Sequence, residues 1–485
     1  MFLQYNALGQ TGLQVSQAGF GCYRVDVSVS EHREAMRKAL LGGVNVLDTS
    51  SNYSDGGSEE LVGKVLAEMT SAGEIDREQV VVVSKAGYLQ GHNYRLSQQR
   101  KREGMPFLDL VLYGEGLEHC IHPEFLEDQL TASLERLQMQ ALDVYLLHNP
   151  EYYLGFAKQN GMQLDEAREE YYRRIELAFR HLEGEVERGR IRWYGISSNT
   201  FPAPAEEYLF TSLERVWEIA ESISDTHHFR VIQLPMNLLE RGGVIQANQS
   251  NGQSVLKFAR DKGLGVLINR PLNAFVANSL VRLADLPMPD VDAAASVTEL
   301  IEKVVAAEAL FRQDILPLVE ADDEVRASLA DKLTAGALLQ EHGRKFASLD
   351  HWQEVVQQFF VPTVQSGVQK LLETPNLPPE VGAWLEGYVN AVNETFLAVT
   401  EMYKQRAAEV SQELKRRVAQ ADAQWGEAGT LSGMALRALR STDGVSSVLV
   451  GMRREAYVED VLAELQVQID VKDRFASWEG LGQKF

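Results

Sequence analysis

Three apolar, strand-like runs in the first third of this 485-residue chain each stop at an ionisable residue, and this pattern constrains the fold more than any other feature. The run from Val44 ends at Asp48, that from Gln79 at Lys85 and that from Leu142 at His148. Nearly continuous apolar strands separated by helical patterns denote parallel strands buried on both faces. In a closed parallel barrel all strand C-termini lie on one face, so polar residues that are far apart in sequence converge there. The alternation predicts strands near 17–22, 44–48, 80–85, 142–148, 191–197, 230–235, 265–269 and 445–450, with helices near 32–42, 58–69, 123–138, 165–188, 210–223, 254–262, 432–441 and 455–465. Eight of each predict an α/β chain folded as a (β/α)8 TIM barrel. The segment before the first strand reads as an N-terminal hairpin.

Asp48 is followed five residues later by Tyr53. A phenol with an ordinary pKa of about 10 is a weak acid at neutral pH unless its ionised form is stabilised. Lys85 is expected to favour the phenolate, and Asp48 to keep Lys85 charged, through shifts of about 1–3 units between opposite charges. His148 suits a neutral hydrogen-bond donor to a carbonyl oxygen. Each residue alone has an ordinary structural reading, as a packed rim tyrosine, a solvated lysine or a core histidine. In order, at successive strand ends, they describe a proton-transfer site.

The run Leu8-Gly9-Gln10-Thr11-Gly12-Leu13, then Gly19-Phe20-Gly21, then Asp48 through Tyr53 and Gly57-Ser58-Glu59-Glu60-Leu61 resembles the aldo-keto reductase superfamily. Ser133-Leu134-Glu135-Arg136-Leu137, Gly195-Ile196-Ser197-Ser198-Asn199, Gln233, Pro271-Leu272 and Val450-Gly451-Met452-Arg453 extend the match. The resemblance implies a barrel plugged at its bottom by the hairpin, a catalytic tetrad at Asp48, Tyr53, Lys85 and His148, and carbonyl–alcohol interconversion with a nicotinamide cofactor and no metal. By the same resemblance Ser197, Ser198 or Asn199 and Gln233 hold the carboxamide, and Arg270, Pro271 and Leu272 line the cofactor. Asn269 stands where the family often stacks an aromatic residue on the nicotinamide. Gly451, Met452, Arg453 and Arg454 stand where it binds the adenosine phosphate, and the two arginines favour NADP(H) over NAD(H).

At 485 residues the chain exceeds the roughly 250 of a plain barrel. Residues 1–280 and 429–485 are expected to form the barrel, and 281–428 an inserted all-α subdomain between the seventh strand and the seventh helix. The inserted patterns are helical throughout, as in Val297, Leu300, Ile301, Val304 and Val305, and suggest a four- or five-helix bundle. It is expected to be an active-site lid or a docking and self-association module. A long loop is expected between Lys85 and His122, with Tyr88, His92, Tyr94 and a basic run at 95–102 that could meet an anion or lie solvated. A second wall is expected at Tyr152, Tyr153 and Phe156.

A net charge of −22 disfavours nucleic-acid or anionic-membrane partners. Two cysteines, Cys22 and Cys120, give no disulfide or zinc framework. With no apolar run of about 18 residues and no signal-peptide pattern, a cytoplasmic protein is expected. The expected activity is an NADP(H)-dependent oxidoreductase acting on an aldehyde, ketone or sugar. The alternative is an NADP(H)-binding sensor or scaffold whose insertion docks a partner.

Overall fold

Alternation along each strand explains what fills the centre of the barrel. The computed structural model describes residues 3–276, 279–286 and 293–482. Eight parallel strands close into a barrel: β1 (Ala18–Gly21), β2 (Val46–Asp48), β3 (Val81–Ala86), β4 (Leu142–His148), β5 (Ile191–Ser197), β6 (Phe229–Pro235), β7 (Gly265–Asn269) and β8 (Ser447–Val450). Successive side chains point to opposite sides of a strand, so every second residue faces the barrel axis. Val46, Val81, Val83, Val144, Leu146, Val231, Leu267 and Leu449 pack as one buried cluster. Leu8, Leu13 and Val15 of the antiparallel hairpin Tyr5–Ala7 and Gln14–Ser16 join it from below, so the hairpin stoppers the barrel floor. Two residues further along these strands stand Asp48, Lys85, His148, Gln233 and Asn269, which form a polar layer over an apolar one.

Packing in the lower layers is tight. A Cβ on Gly19 would sit 2.9 Å from the Cβ of Val46, and one on Gly195 would sit 1.7 Å from the carbonyl oxygen of Val231. Eight helices follow the strands: α1 (Ser30–Leu41), α2 (Gly57–Ser71), α3 (Pro123–Leu137), α4 (Leu164–Glu187), α5 (Leu213–Ile223), α6 (Val255–Asp261), α7 (Leu431–Arg440) and α8 (Glu455–Leu465). In α4, Ala167, Tyr171, Ile175, Ala178, Phe179 and Leu182 repeat every three to four residues and are all buried, which makes one apolar stripe against the sheet.

The segment between β3 and α3 is structured, where the sequence suggested a loop. It holds a three-stranded antiparallel sheet (Tyr88–Leu89, Leu117–His119, Val111–Gly114) and a helix, Gly91–Arg102, made from the basic run itself. The charges that argue for a solvated loop are matched in space. Lys101 pairs with Glu118, Arg100 with Glu124, and Arg95 with Asp55 at 3.4 Å. The aromatic wall is also helical, over Tyr152–Gln159.

The chain divides into two compact units, residues 1–274 with 418–485, and residues 275–417. Both junctions fall earlier than the 280/281 and 428/429 boundaries read from the sequence. The later one moves because Asp422 pairs with Arg474 at 2.7 Å and Trp425 packs on Trp478, which ties this segment to the barrel unit. The second unit has its own apolar core, including Phe311, Trp352, Phe360, Trp384, Tyr388 and Tyr403. Two strands, Asn273–Val276 and Ser279–Arg282, pair where it begins, so it is not helical throughout. Its helices are Ala293–Leu310, Asp323–Lys332, Ala335–His342, Leu349–Val355, Val361–Leu372 and all but the last turn of Pro379–Ala421, which crosses into the first unit. Wider π turns, Phe311–Ile315 and Val356–Phe360, stand just before Pro317 and Pro362. A proline in a helix removes one N–H and crowds the carbonyl four residues back, and a widened turn relieves both. Among the described residues no helix is long and apolar enough to cross a membrane.

Candidate active site

The upper polar layer is a connected set of hydrogen bonds. Lys85 is buried, and its three ammonium protons find three oxygens: Asp48 Oδ2 at 2.8 Å, the Thr49 carbonyl at 2.7 Å and Tyr53 Oη at 3.4 Å. Gln233 Nε2 donates to the other Asp48 oxygen at 2.7 Å. Ser197 Oγ and Asn269 Nδ2 in turn donate to Gln233 Oε1, at 2.9 and 3.2 Å. Residues from β2, β3, β5, β6 and β7 thus hold one another at the strand ends.

Tyr53 opens a 3-10 turn in which Ser54 (φ 50°) and Asp55 (φ 52°) both adopt the left-handed conformation. Ser54 Oγ donates to the Val25 carbonyl at 2.8 Å, and Asp55 accepts the His92 N–H at 2.7 Å, which holds this sparsely populated backbone in place. Burial, helped by the Asp48 charge, pushes the Tyr53 phenol well above its usual value. This direction is opposite to the acidified phenol expected from the sequence, because burial, the largest cause, disfavours the phenolate. Burial raises the Asp48 carboxyl too, against the pull of Lys85 and Gln233.

His148 lies edge-on to Tyr53, with ring centroids 5.8 Å apart. Burial, reinforced by Lys85 and His119, holds its imidazole well below the ordinary value, so it is neutral at physiological pH. Its Nδ1 lies 3.0 Å from Ser50 Oγ. Cys22 is buried beside the cluster, its thiol pushed up by burial and by Asp48.

Ser197 and Gln233 thus join the tetrad residues at the mouth. Ser198 does not join them: its hydroxyl lies 3.2 Å from Thr200 Oγ1 and 3.4 Å from Thr211 Oγ1, on the other side of the strand. Asn199 is exposed, and its backbone N–H donates to Glu151 Oε1 at 2.7 Å. Arg270 (φ 52°) pairs with Glu240 at 2.8 Å, with Pro271 and Leu272 in the turn after it. Gly451, Met452 and Arg453 follow β8, and Arg454 is the N-cap residue of α8.

At the mouth, Tyr23 escaped the sequence reading, which names Tyr88 and the wall at Tyr152. Tyr23, exposed after β1, lies edge-on to Tyr53 at 5.1 Å. Tyr88 is edge-on to His148 at 4.8 Å and to Tyr152 at 5.0 Å. Glu151 is buried, and burial lifts its carboxyl to about 7 despite the backbone N–H groups and the Ser198 hydroxyl around it.

The model of the aldo/keto reductase family matches residues 18–277, more than half of the chain. NADH-specific methylglyoxal reductase of Escherichia coli (strain K12) is 28% identical over 152 residues, 29% of this chain and 40% of that protein. NAD(P)H-dependent D-xylose reductase of Scheffersomyces stipitis is 26% identical over 271 residues, 52% of this chain and 70% of that protein. The chain spans less than half the length of the first two curated relatives it matches, 40% and 47%. Among solved structures, an aldo/keto reductase from Klebsiella pneumoniae in complex with NADP and acetate aligns with a TM-score of 0.42 at 15% identity, over 94% of this chain and 88% of that one.

Proposed function

Because the chain belongs to the aldo/keto reductase family, we propose that it is an NADP(H)-dependent oxidoreductase that interconverts a small aldehyde, ketone or sugar with its alcohol. The observation that carries this reading is the joined set of Tyr53, Lys85, Asp48 and His148 at one end of the barrel. A reduced nicotinamide, when bound, supplies the hydride that the carbonyl carbon accepts. The residues present fit such a group: Asn269 Oδ1 is a buried oxygen beside Gln233 without a hydrogen-bond partner among the described residues, suited to an amide N–H donor. Ser197 and Gln233 would hold the same amide, and Arg453 and Arg454 a ribose phosphate.

Tyr53 is the proton donor in reduction. A phenol held well above its ordinary value stays protonated at neutral pH, so its proton is available to the alkoxide that forms as the carbonyl carbon accepts hydride. Lys85 donates to the oxygen of Tyr53 and stabilises it as the proton leaves. Neutral His148 orients the carbonyl oxygen through Nε2–H. That tautomer requires the single Ser50 hydroxyl proton to go to His148 Nδ1 at 3.0 Å, in competition with Asn52 Oδ1 at 2.8 Å and the Lys85 carbonyl at 3.2 Å.

The test is multiple-turnover oxidation of NADPH against a panel of aldehydes, ketones and sugars. Turnover with at least one class is expected. Tight NADPH binding without turnover on any would replace this reading with that of a nucleotide-binding sensor or scaffold.

A further inference from the structure

We propose that His119, on the segment inserted between β3 and α3, is a positioning residue that fixes His148 for the reaction. This rests on the function proposed above. His119 Nε2 lies 2.7 Å from the main-chain oxygen of His148. A carbonyl oxygen can only accept, so His119 carries its proton on Nε2, and its tautomer follows from the contact itself. The ring is fully buried, and its pKa, lowered to about 4 by burial, leaves it neutral.

Three features show that this contact is built in. Gly87 makes room for it: a Cβ there would lie 2.5 Å from the His148 oxygen and 2.6 Å from His119 Nε2. The strand bearing His119 pairs with Tyr88, directly opposite His119, and the Cys120 N–H donates to the Gly87 carbonyl at 2.8 Å. The imidazole also stacks on Tyr152, 5.4 Å between centroids at an interplanar angle of 15°.

The backbone that His119 grips needs holding. Asn149, the next residue, is left-handed at φ 51°; its N–H donates to the Ser197 carbonyl at 2.7 Å and its Nδ2 to Tyr88 Oη at 2.6 Å. Without the His119 donor, the buried carbonyl at the base of the His148 side chain loses this hydrogen bond, and the peptide keeps its Asn149 N–H bond to Ser197 but can rotate about it. Such a rotation moves the imidazole relative to Tyr53, and a misplacement of about 1 Å at a reacting centre can cost on the order of 10²-fold in rate.

The experiment compares wild type, His119→Phe and His119→Gln at saturating NADPH, with 15N NMR of the histidine rings in the cofactor-free protein. The Phe variant keeps a ring for stacking and loses the donor; the Gln variant keeps a donor and loses the ring. His119→Phe is expected to lower kcat by roughly tenfold to 10²-fold, with NADPH affinity unchanged and the His148 ring resonance shifted. His119→Gln is expected to recover most of kcat. Wild-type His119 is expected to be the Nε2–H tautomer from pH 5.5 to 8. Near-normal kcat in His119→Phe, no recovery in a folded His119→Gln, or a proton on Nδ1 of wild-type His119 would each overturn the proposal. If His119→Phe does not fold, His119→Gln and the wild-type tautomer decide it. If wild type turns over no carbonyl compound, the proposed function fails, and an unshifted His148 resonance in the variants would overturn the positioning as well.

Discussion

At the scale of single residues, the site trades solvation for position. Tyr53 keeps its proton because it is buried and next to a carboxylate, and under the proposed function it releases that proton only when charge develops on a bound oxygen. Tyr53→Phe keeps the ring and removes the proton, so hydride transfer is expected to slow by about 10²–10⁴-fold with cofactor affinity nearly unchanged. Single-turnover stopped-flow with NADPH measures both; a near-normal rate would remove Tyr53 from the chemistry. Glu151 gives a second, thermodynamic test. Its carboxyl is raised from 4.5 to about 7, so between these values the folded state holds a proton that the unfolded state has released. Stability therefore falls as pH rises through this window, by about 3 kcal/mol at most. His119, lowered from 6.5 to about 4, acts with the opposite sign between pH 4 and 6.5, so the comparison must be with a variant and not with wild type alone. Glu151→Gln is expected to gain on wild type between pH 4.5 and 8, as read by urea denaturation.

At the scale of elements, the barrel was legible because each strand carries its own period. Valines at 81 and 83 followed by Lys85, or Val144 and Leu146 followed by His148, state both a buried face and where it turns polar. The helix Gly91–Arg102 was not legible, because the partners of its charges, Asp55, Glu118 and Glu124, lie far along the sequence. His119 and Glu151 likewise have no local pattern; burial and a single contact distinguish them. Ser198 could not be separated from Ser197 in the sequence, because two adjacent serines share a motif and only the strand's alternation decides that Ser197 faces the axis. The loop leading into α8 shows what an element end can do. Arg453 and Arg454 flank a helix N-terminus, where backbone N–H groups favour an anion. Replacing both with Ala is expected to weaken NADP(H) far more than NAD(H), since only the former loses charge-assisted hydrogen bonds worth about 1.5–3 kcal/mol each. Isothermal titration with both nucleotides checks this; equal losses would assign the arginines to the pyrophosphate or to folding.

At the scale of the whole molecule, the two units have separate cores and are expected to respond separately. Trp352 is fully buried among Phe346, Phe360, Phe396 and Tyr403 of the second unit. Trp352→Ala is expected to cost that unit about 3–5 kcal/mol and to leave NADPH binding intact, as followed by calorimetry with and without nucleotide. Loss of binding together with loss of the second core would mean that the units do not fold independently.

The chain's two cysteines offer a way to see this without mutation. Cys22 and Cys120 both belong to the first unit, and both are buried. Burial pushes the Cys22 thiol far up and the Cys120 thiol to about 12, so almost no thiolate, the reactive form, exists at neutral pH. Alkylation must then wait for the protein to open. Its rate reports the opening of the barrel unit in the intact chain and is blind to the thiol-free segment 275–417.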